Sequence, residues 1–314
     1  MSTTTKVLGF AAALALVFAA ALGLGRAVGP VAAAPSATHA EGGHEGTEAP
    51  EGETAPPALP KGLLVSQDGY TLKLAQTSAQ AGNAVPLTFQ VLGPDGTPAT
   101  EYELTHEKEL HLIAVRRDFS GFQHVHPEME TDGTWGTSLA LTPGQWRLFA
   151  DFQASGAEAL TLGADLAVSG PFTAQPPAPE TRTSVVDGYT VTVAGDLEAG
   201  SDARLTLSVS RDGEPVTDLE PYLGAFGHLV ALREGDLAYL HVHPEGTPGD
   251  GETAPGPDIV FYAEVPSANG YRLYLDFKHE GTVRTASFAV SSTDPTSAGS
   301  GEESDGDPHA DDDH

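Results

Sequence analysis

"HLIAVRRDFSGFQHVHPE" (His111–Glu128) returns later in the same chain as "HLVALREGDLAYLHVHPE" (His228–Glu245), aligned without a gap. Each copy opens with a short apolar run, turns through polar or small residues, and comes back on a histidine pair that ends at proline. Short apolar runs bounded by turn residues are the pattern of strands, and Pro closes a strand because it has no N–H to give. The repetition spreads outward from this stretch. "DGYTLKLAQ" from Asp68 is matched by "DGYTVTVAG" from Asp187, and "RLFADF" (Arg147–Phe152) by "RLYLDF" (Arg272–Phe277). The extra residues of the second copy fall in the Gly/Pro-rich "GTPGDGETAPGPD" after Glu245, where a loop takes an insertion without disturbing strands. Two copies of one fold follow.

Within the first copy, "YTLKLA", "VPLTFQVL", "LHLIAVR", "FQHVHPE", "TSLAL", "QWRLFADF" and "ALTLGADLAV" read as strands, with no sustained helical periodicity between them. That count and spacing predict an all-β chain of two tandem immunoglobulin-like β-sandwich domains, a cupredoxin-like barrel being the alternative. The domains are expected at residues 62–170 and 182–292, joined by a Pro-rich, semi-rigid linker at 171–181. Residues 30–61, rich in Ala, Pro and Glu, read as a disordered spacer, and 293–314 as a disordered acidic tail.

The remaining N-terminal segment, residues 1–29, carries Lys6, an apolar run from Val7 to Gly25, and Arg26. It reads as an apolar helix that is either a cleaved signal peptide or an anchor left in the membrane. Either outcome predicts an extracytoplasmic protein, membrane-anchored through that helix or secreted. The formal charge of −29 is unevenly spread, with five acids between Glu41 and Glu53 and eight from Asp294 onward, and residues 61–293 still carry 31 acids against 13 bases. Such a field repels nucleic acid and attracts cations. The absence of cysteine removes disulfides, thiolate metal sites and thiol nucleophiles.

Six of the twelve histidines belong to the repeat: His111, His124 and His126 in the first copy, His228, His241 and His243 in the second. Residues i and i+2 of a strand share a face, so each HVH pair points one way. A hairpin centred on Phe119–Ser120 would set His111 opposite Glu128 and diagonal to His126, and likewise His228 opposite Glu245 and diagonal to His243. The expected metal ligands are therefore His111, His124, His126 and Glu128, then His228, His241, His243 and Glu245. Asp151 and Asp276, in the matched "ADF" and "LDF" ends, would orient a ligating imidazole. Imidazole with carboxylate suits Cu²⁺ or Zn²⁺, and the lack of sulfur ligands disfavours Cu⁺. One site per repeat is the simplest reading, and a single site shared between repeats is compatible with the same residues. The competing reading is a structural or protein-interaction module of the cell envelope whose histidines are satisfied internally.

The pattern "HLIxxxxDxxxFxHVHP" followed by an "RxFADF" strand resembles exported bacterial YtkA-like domains of immunoglobulin type. That resemblance implies an extracytoplasmic β-sandwich connected with metal, especially copper, biology, and an envelope metalloprotein or transporter as partner. The second copy departs from it, with Gly235 at the position of Asp118 and Tyr239 at that of Phe122. His124, His126 and Glu130 resemble the first cupin motif, but Thr247 replaces the acid in the second copy and the later motif is missing. A histidine-triad nucleotide-binding motif would need histidine where Glu128 and Glu245 stand. The expectation is a non-catalytic protein.

Overall fold

The computed structural model describes residues 60–294. The apolar N-terminal run, most of the spacer and nearly all of the acidic tail lie outside the described residues. Every regular element among the described residues is a β-strand, and no helix there is long and apolar enough to cross a membrane.

The first repeat contains β1 (Ser66–Gln67), β2 (Tyr70–Leu74), β3 (Ser78–Gln80), β4 (Gly82–Leu92), β5 (Leu110–Arg116), β6 (Gln123–Val125), β7 (Glu128–Met129), β8 (Thr134–Leu141), β9 (Gly144–Phe152) and β10 (Leu160–Ser169). They form two sheets, β1-β2-β4-β8-β7 and β3-β10-β9-β5-β6, with β3 parallel to β10 and the other pairs antiparallel. The second repeat contains β11 (Thr183–Val186), β12 (Tyr189–Ala194), β13 (Leu197–Glu198), β14 (Ser201–Arg211), β15 (Glu214–Pro215), β16 (Gly227–Arg233), β17 (Val242–Pro244), β18 (Asp258–Val265), β19 (Gly270–His279) and β20 (Thr282–Thr293). Its sheets are β11-β12-β14-β18-β17, with β15 on β14, and β13-β20-β19-β16. The fold is two tandem immunoglobulin-like β-sandwiches, as the strand pattern predicts.

Alternation along the strands builds each sandwich core. In the first repeat Phe89, Trp135, Trp146 and Phe152 are almost fully buried, and in the second Tyr189, Phe261, Phe277 and Phe288. A strand covered on one face shows alternating burial, as β8 and β18 do. In β5 all seven residues are buried, so both of its faces are covered. Leu110, Leu112 and Ala114 enter the first repeat's own core. Ile113 and Val115 enter a third core, shared with Phe149 and with Val230, Leu232, Leu237, Tyr239 and Tyr274 of the second repeat.

This third core has approximate two-fold symmetry. Ile113 and Val115 correspond in the repeat to Val230 and Leu232, Phe149 to Tyr274, and Phe122 to Tyr239. Phe149 meets Tyr239 at 5.7 Å between ring centroids, and its counterpart Tyr274 stacks on Phe122 at 3.9 Å and 5°. Each contact is thus matched by its exchanged partner, the mark of an isologous interface. Each fully buried aromatic of this kind is worth about 1.5–3 kcal/mol of transfer free energy. The Pro-rich linker is tied to this assembly: the Gln175 N–H donates to Asp118 at 2.8 Å, and Arg272 donates to the Ala178 carbonyl at 3.3 Å.

One stretch departs from the sequence reading. Lys61, assigned there to the spacer, pairs with Tyr239 of the second repeat, whose N–H donates to the Lys61 carbonyl at 2.9 Å. The Gly62 N–H donates to the Thr161 carbonyl, and Arg147 donates to the Gly62 and Leu63 carbonyls at 2.7 and 2.8 Å. The strap lies so close to the sheet that a Cβ on Gly163 would fall 2.0 Å from the Gly62 carbonyl oxygen. Backbone pairing across repeats leaves no signature in composition.

Candidate metal centre

The polar end of the shared interface is histidine. Strand β5 alternates, so the face that carries Ile113 and Val115 toward the second repeat carries His111 as well. The same holds for β16, which carries His228 beside Val230 and Leu232. His111 and His228 are corresponding residues, and their rings stack at 5.4 Å and 10° where the two repeats meet.

The hairpin that delivers His124 and His126 has a different register from the expected one. β5 pairs with β6 as Leu112–Val125, Ile113–His124 and Ala114–Gln123, so the turn is centred one residue earlier, between Asp118 and Phe119. Asp118 fixes that turn. It accepts two hydrogen bonds from Arg116 and others from the Ser120 hydroxyl and N–H. Burial pushes its carboxyl up, but the Arg116 contact with the bonds from Gln175 and Ser120 outweighs this and holds it well below the usual carboxylate range. Moving the centre by one residue moves the pairing by two, which preserves faces. His111, His124 and His126 therefore still share a face, with ring centroids 4.9–5.2 Å apart.

Glu128 is not opposite His111 as expected. After Pro127 the chain crosses to the other sheet, and Glu128 lies exposed in β7, paired with β8. Glu245 likewise faces outward from the second repeat, accepting a hydrogen bond from Tyr262 at 3.0 Å and lying 3.5 Å from Arg204. In the first repeat the chain leaves the histidine strand at Pro127, whereas in the second Val242–Pro244 already pair with β18, so both carboxylates end on the other sheet.

The cluster that forms draws on both repeats. Ligating atoms of His111, His124 and His228 all lie within 4.8 Å of one another. The outer nitrogen of each of two rings is assigned by its partner. His111 Nε2 lies 2.9 Å from the Thr105 carbonyl oxygen, which can only accept, so that nitrogen carries a proton. His124 Nδ1 lies 2.8 Å from Asp276 Oδ2, across the repeat boundary, and the other carboxylate oxygen accepts from Thr285 at 2.5 Å. His111 Nδ1 and His124 Nε2 are left facing each other at 3.0 Å. With both outer nitrogens protonated, two neutral rings would aim lone pairs at one another, so a proton or a metal cation belongs between them. Nitrogens of a tetrahedral zinc shell are about 3.3 Å apart at Zn–N distances of about 2.0–2.1 Å, a few tenths of an ångström from the observed separation.

Two further observations fit a cation. His126 Nε2 is buried with no hydrogen-bond partner, a state that costs free energy unless something occupies it. The rings also resist carrying charge of their own. Burial pushes the His111 imidazole down to about 3 and His126 to about 4, and burial holds His228 well below its ordinary value, each with help from neighbouring histidines. Neutral imidazoles are the form that ligates a metal. Asp276 lies beside a histidine, but one of the other repeat.

The second half of the cluster is built differently. Asp151, the counterpart of Asp276, accepts from Thr161 at 2.7 Å, and burial pushes its carboxyl up. His241, the counterpart of His124, instead has its Nδ1 2.7 Å from Lys61 Nζ. His243 is exposed and stands edge-on to His241 at 3.9 Å, because β17 starts pairing with β18 of the other sheet at Val242, three residues before the counterpart of Glu128, where β7 starts in the first repeat. A cavity of about 330 Å³ opens here, lined by Lys61, His106, Asp151, His228, His241 and His243 among others.

His106 has no histidine counterpart in the second copy, and its ring is 5.5 Å from His228. It sits in a tight turn with a backbone φ of 49°, where the second repeat has Leu223 at 56°. A histidine present in only one copy of the turn leaves no repeat signal to find.

Comparison with known proteins identifies a family but no activity. A family described as a domain of unknown function, DUF8832, matches residues 65–169 and again 183–294. The chain belongs to this family, and carries it twice. No curated protein matches the chain. Among solved structures, a marsupial T cell receptor is similar at 11% identity and a TM-score of 0.21, over 71% of this chain and 99% of that one. The adhesin InvE of Yersinia pseudotuberculosis is similar at 10% identity and a TM-score of 0.21, over 70% of this chain and 58% of that one.

Proposed function

We propose that the protein binds one Cu²⁺ or Zn²⁺ ion outside the cytoplasm, at a site shared between its two repeats, to buffer the metal or hand it on. The observation that carries the reading is the pair of inner nitrogens, His111 Nδ1 and His124 Nε2. They face each other at 3.0 Å while their outer nitrogens are committed to the Thr105 carbonyl and to Asp276. His228 from the second repeat is the third ligand, and His126, which lies outside that trio but has an unpartnered Nε2 and a ring 4.9–5.0 Å from those of His124 and His111, would complete the shell. All four donors are imidazole, which suits these two metals and not the oxygen-seeking Ca²⁺ or Mg²⁺. The motif's resemblance to YtkA-like domains and the apolar run from Val7 to Gly25 support an extracytoplasmic setting, with an envelope metalloprotein or transporter as the exchanging partner. Four protein ligands would leave a tetrahedral ion no open position for a substrate, so the reading is of a binding protein.

The test is metal content after equilibrium dialysis of the full chain against Cu²⁺ or Zn²⁺. The expected result is one retained equivalent, lost in His111→Ala. Equal retention by the parent chain and by His111→Ala would end this reading and favour a structural module with internally bonded histidines.

A further inference from the structure

The two halves of the histidine cluster are related by the repeat, yet only one has a histidine–carboxylate pair across the boundary. His124 Nδ1 meets Asp276 at 2.8 Å. Their counterparts His241 and Asp151 form no such pair. Lys61 Nζ is there instead, 2.7 Å from His241 Nδ1, and its charge favours the ionised form of Asp151.

The lysine is held in place. Its carbonyl accepts from Tyr239 of the second repeat, the next two carbonyls accept from Arg147, and Gly62 and Leu64 pair with the backbone of Thr161 and Gly163. Gly62 has a φ of +73°, and a Cβ there would stand 2.5 Å from Phe149. The strap is therefore fitted to the sheet at two glycines, Gly62 and Gly163, and it directs one ammonium group into the cavity.

We propose that Lys61 is a built-in cation that fills the second half of a two-fold metal site, and that His241, His243 and Asp151 bind a divalent transition metal once it is withdrawn. The chemistry of the donors favours this. His241 presents Nδ1 to the ammonium, so the nitrogen now accepting from Lys61 is the one freed for a metal. His243 is beside it, with ring centroids 3.9 Å apart, and Asp151 lines the same cavity; the three do not converge to ligation distance with Lys61 in place and would have to close on the ion once it is withdrawn. An ammonium and a divalent ion compete for one location because both are cations sought by the same lone pairs. Two nitrogens and one oxygen form a harder, more open donor set than the all-imidazole centre, and exposure of His243 gives it access to solvent. The strap thus decides whether the protein holds one ion or two.

This inference extends the one-metal reading, and the test separates the two. The full-length parent, Lys61→Met, Lys61→Arg and Lys61→Met/His241→Ala chains would be dialysed against Zn²⁺ and their metal content measured, with circular dichroism confirming the β-fold. The expected series is one, two, one and one equivalents. A gain in Lys61→Met that His241→Ala cancels supports the proposal even if the parent retains no metal, in which case the one-metal reading alone fails. A folded Lys61→Met chain with the same metal content as the parent, or a parent that already retains two equivalents, overturns it.

Discussion

The halves that meet at His111 and His228 started from the same sequence pattern and have reached different electrostatic solutions. In one half, His124 crosses the repeat boundary to the Asp276 carboxylate, and an anion orients a ring. In the other, His241 takes a hydrogen bond from Lys61, and a cation occupies it. The ligands are duplicated, but the groups that orient them are not. A repeated motif therefore supplies the imidazoles, while the path of the strand and neighbours outside the motif decide where they stand and what each half can hold.

The largest expected effect is on the apolar core that brings the halves together. Phe149→Ala removes a fully buried ring and should cost about 3–5 kcal/mol in a denaturant titration. Tyr274→Ala, its two-fold counterpart, should cost a similar amount. A cost for one variant only would break the symmetry of the interface. Gly163→Ala comes next, since its Cβ would collide with the Gly62 carbonyl and lift the strap. Destabilisation of about 1–3 kcal/mol is the expected outcome, by analogy with other overpacked sites.

Acid sharpens the comparison. His111 takes up its proton at about pH 3 in the folded chain and near 6.5 unfolded, so the unfolded chain binds more protons between those values. Stability is present in full above about pH 6.5 and falls as pH drops toward 3, by up to about 1.4 kcal/mol per pH unit for this one residue. Thermal melts of the metal-free chain at pH 7.5 and pH 5 should show the decrease. His111→Ala should flatten it.

Asp276→Asn and Asp151→Asn set the halves directly against each other. Loss of the carboxylate that orients His124 should weaken metal binding about 10–100-fold, the usual cost of removing such a partner. Asp151→Asn should change it several-fold less. Smallest of all, Glu128→Gln and Glu245→Gln should leave metal affinity unchanged, because both carboxylates face away from the histidines.

Much of the fold could be read from the chain. The duplicated "HVHPE" and the turn residues between apolar runs lead to two β-sandwiches, and period-two alternation puts His111, His124 and His126 on one face. Hairpin parity survived an error of two residues in register because faces repeat every second residue, but the position of Glu128 did not, since it depended on the strand continuing past Pro127. The pairing of His111 with His228 was harder to see. It follows from β5 being covered on both faces, and a continuous apolar run does not say what covers the second one. Lys61 and Asp276 reach their histidines across the boundary between repeats, a relation that local patterns do not carry.

The central claim is that one metal site belongs to both repeats, and single substitutions on each side test it most directly. Full-length His111→Ala and His228→Ala chains would be dialysed against Zn²⁺ beside the parent. The account predicts one equivalent in the parent and none in either variant. Two equivalents in the parent, with one surviving in each variant, would contradict it and restore a separate site in each repeat.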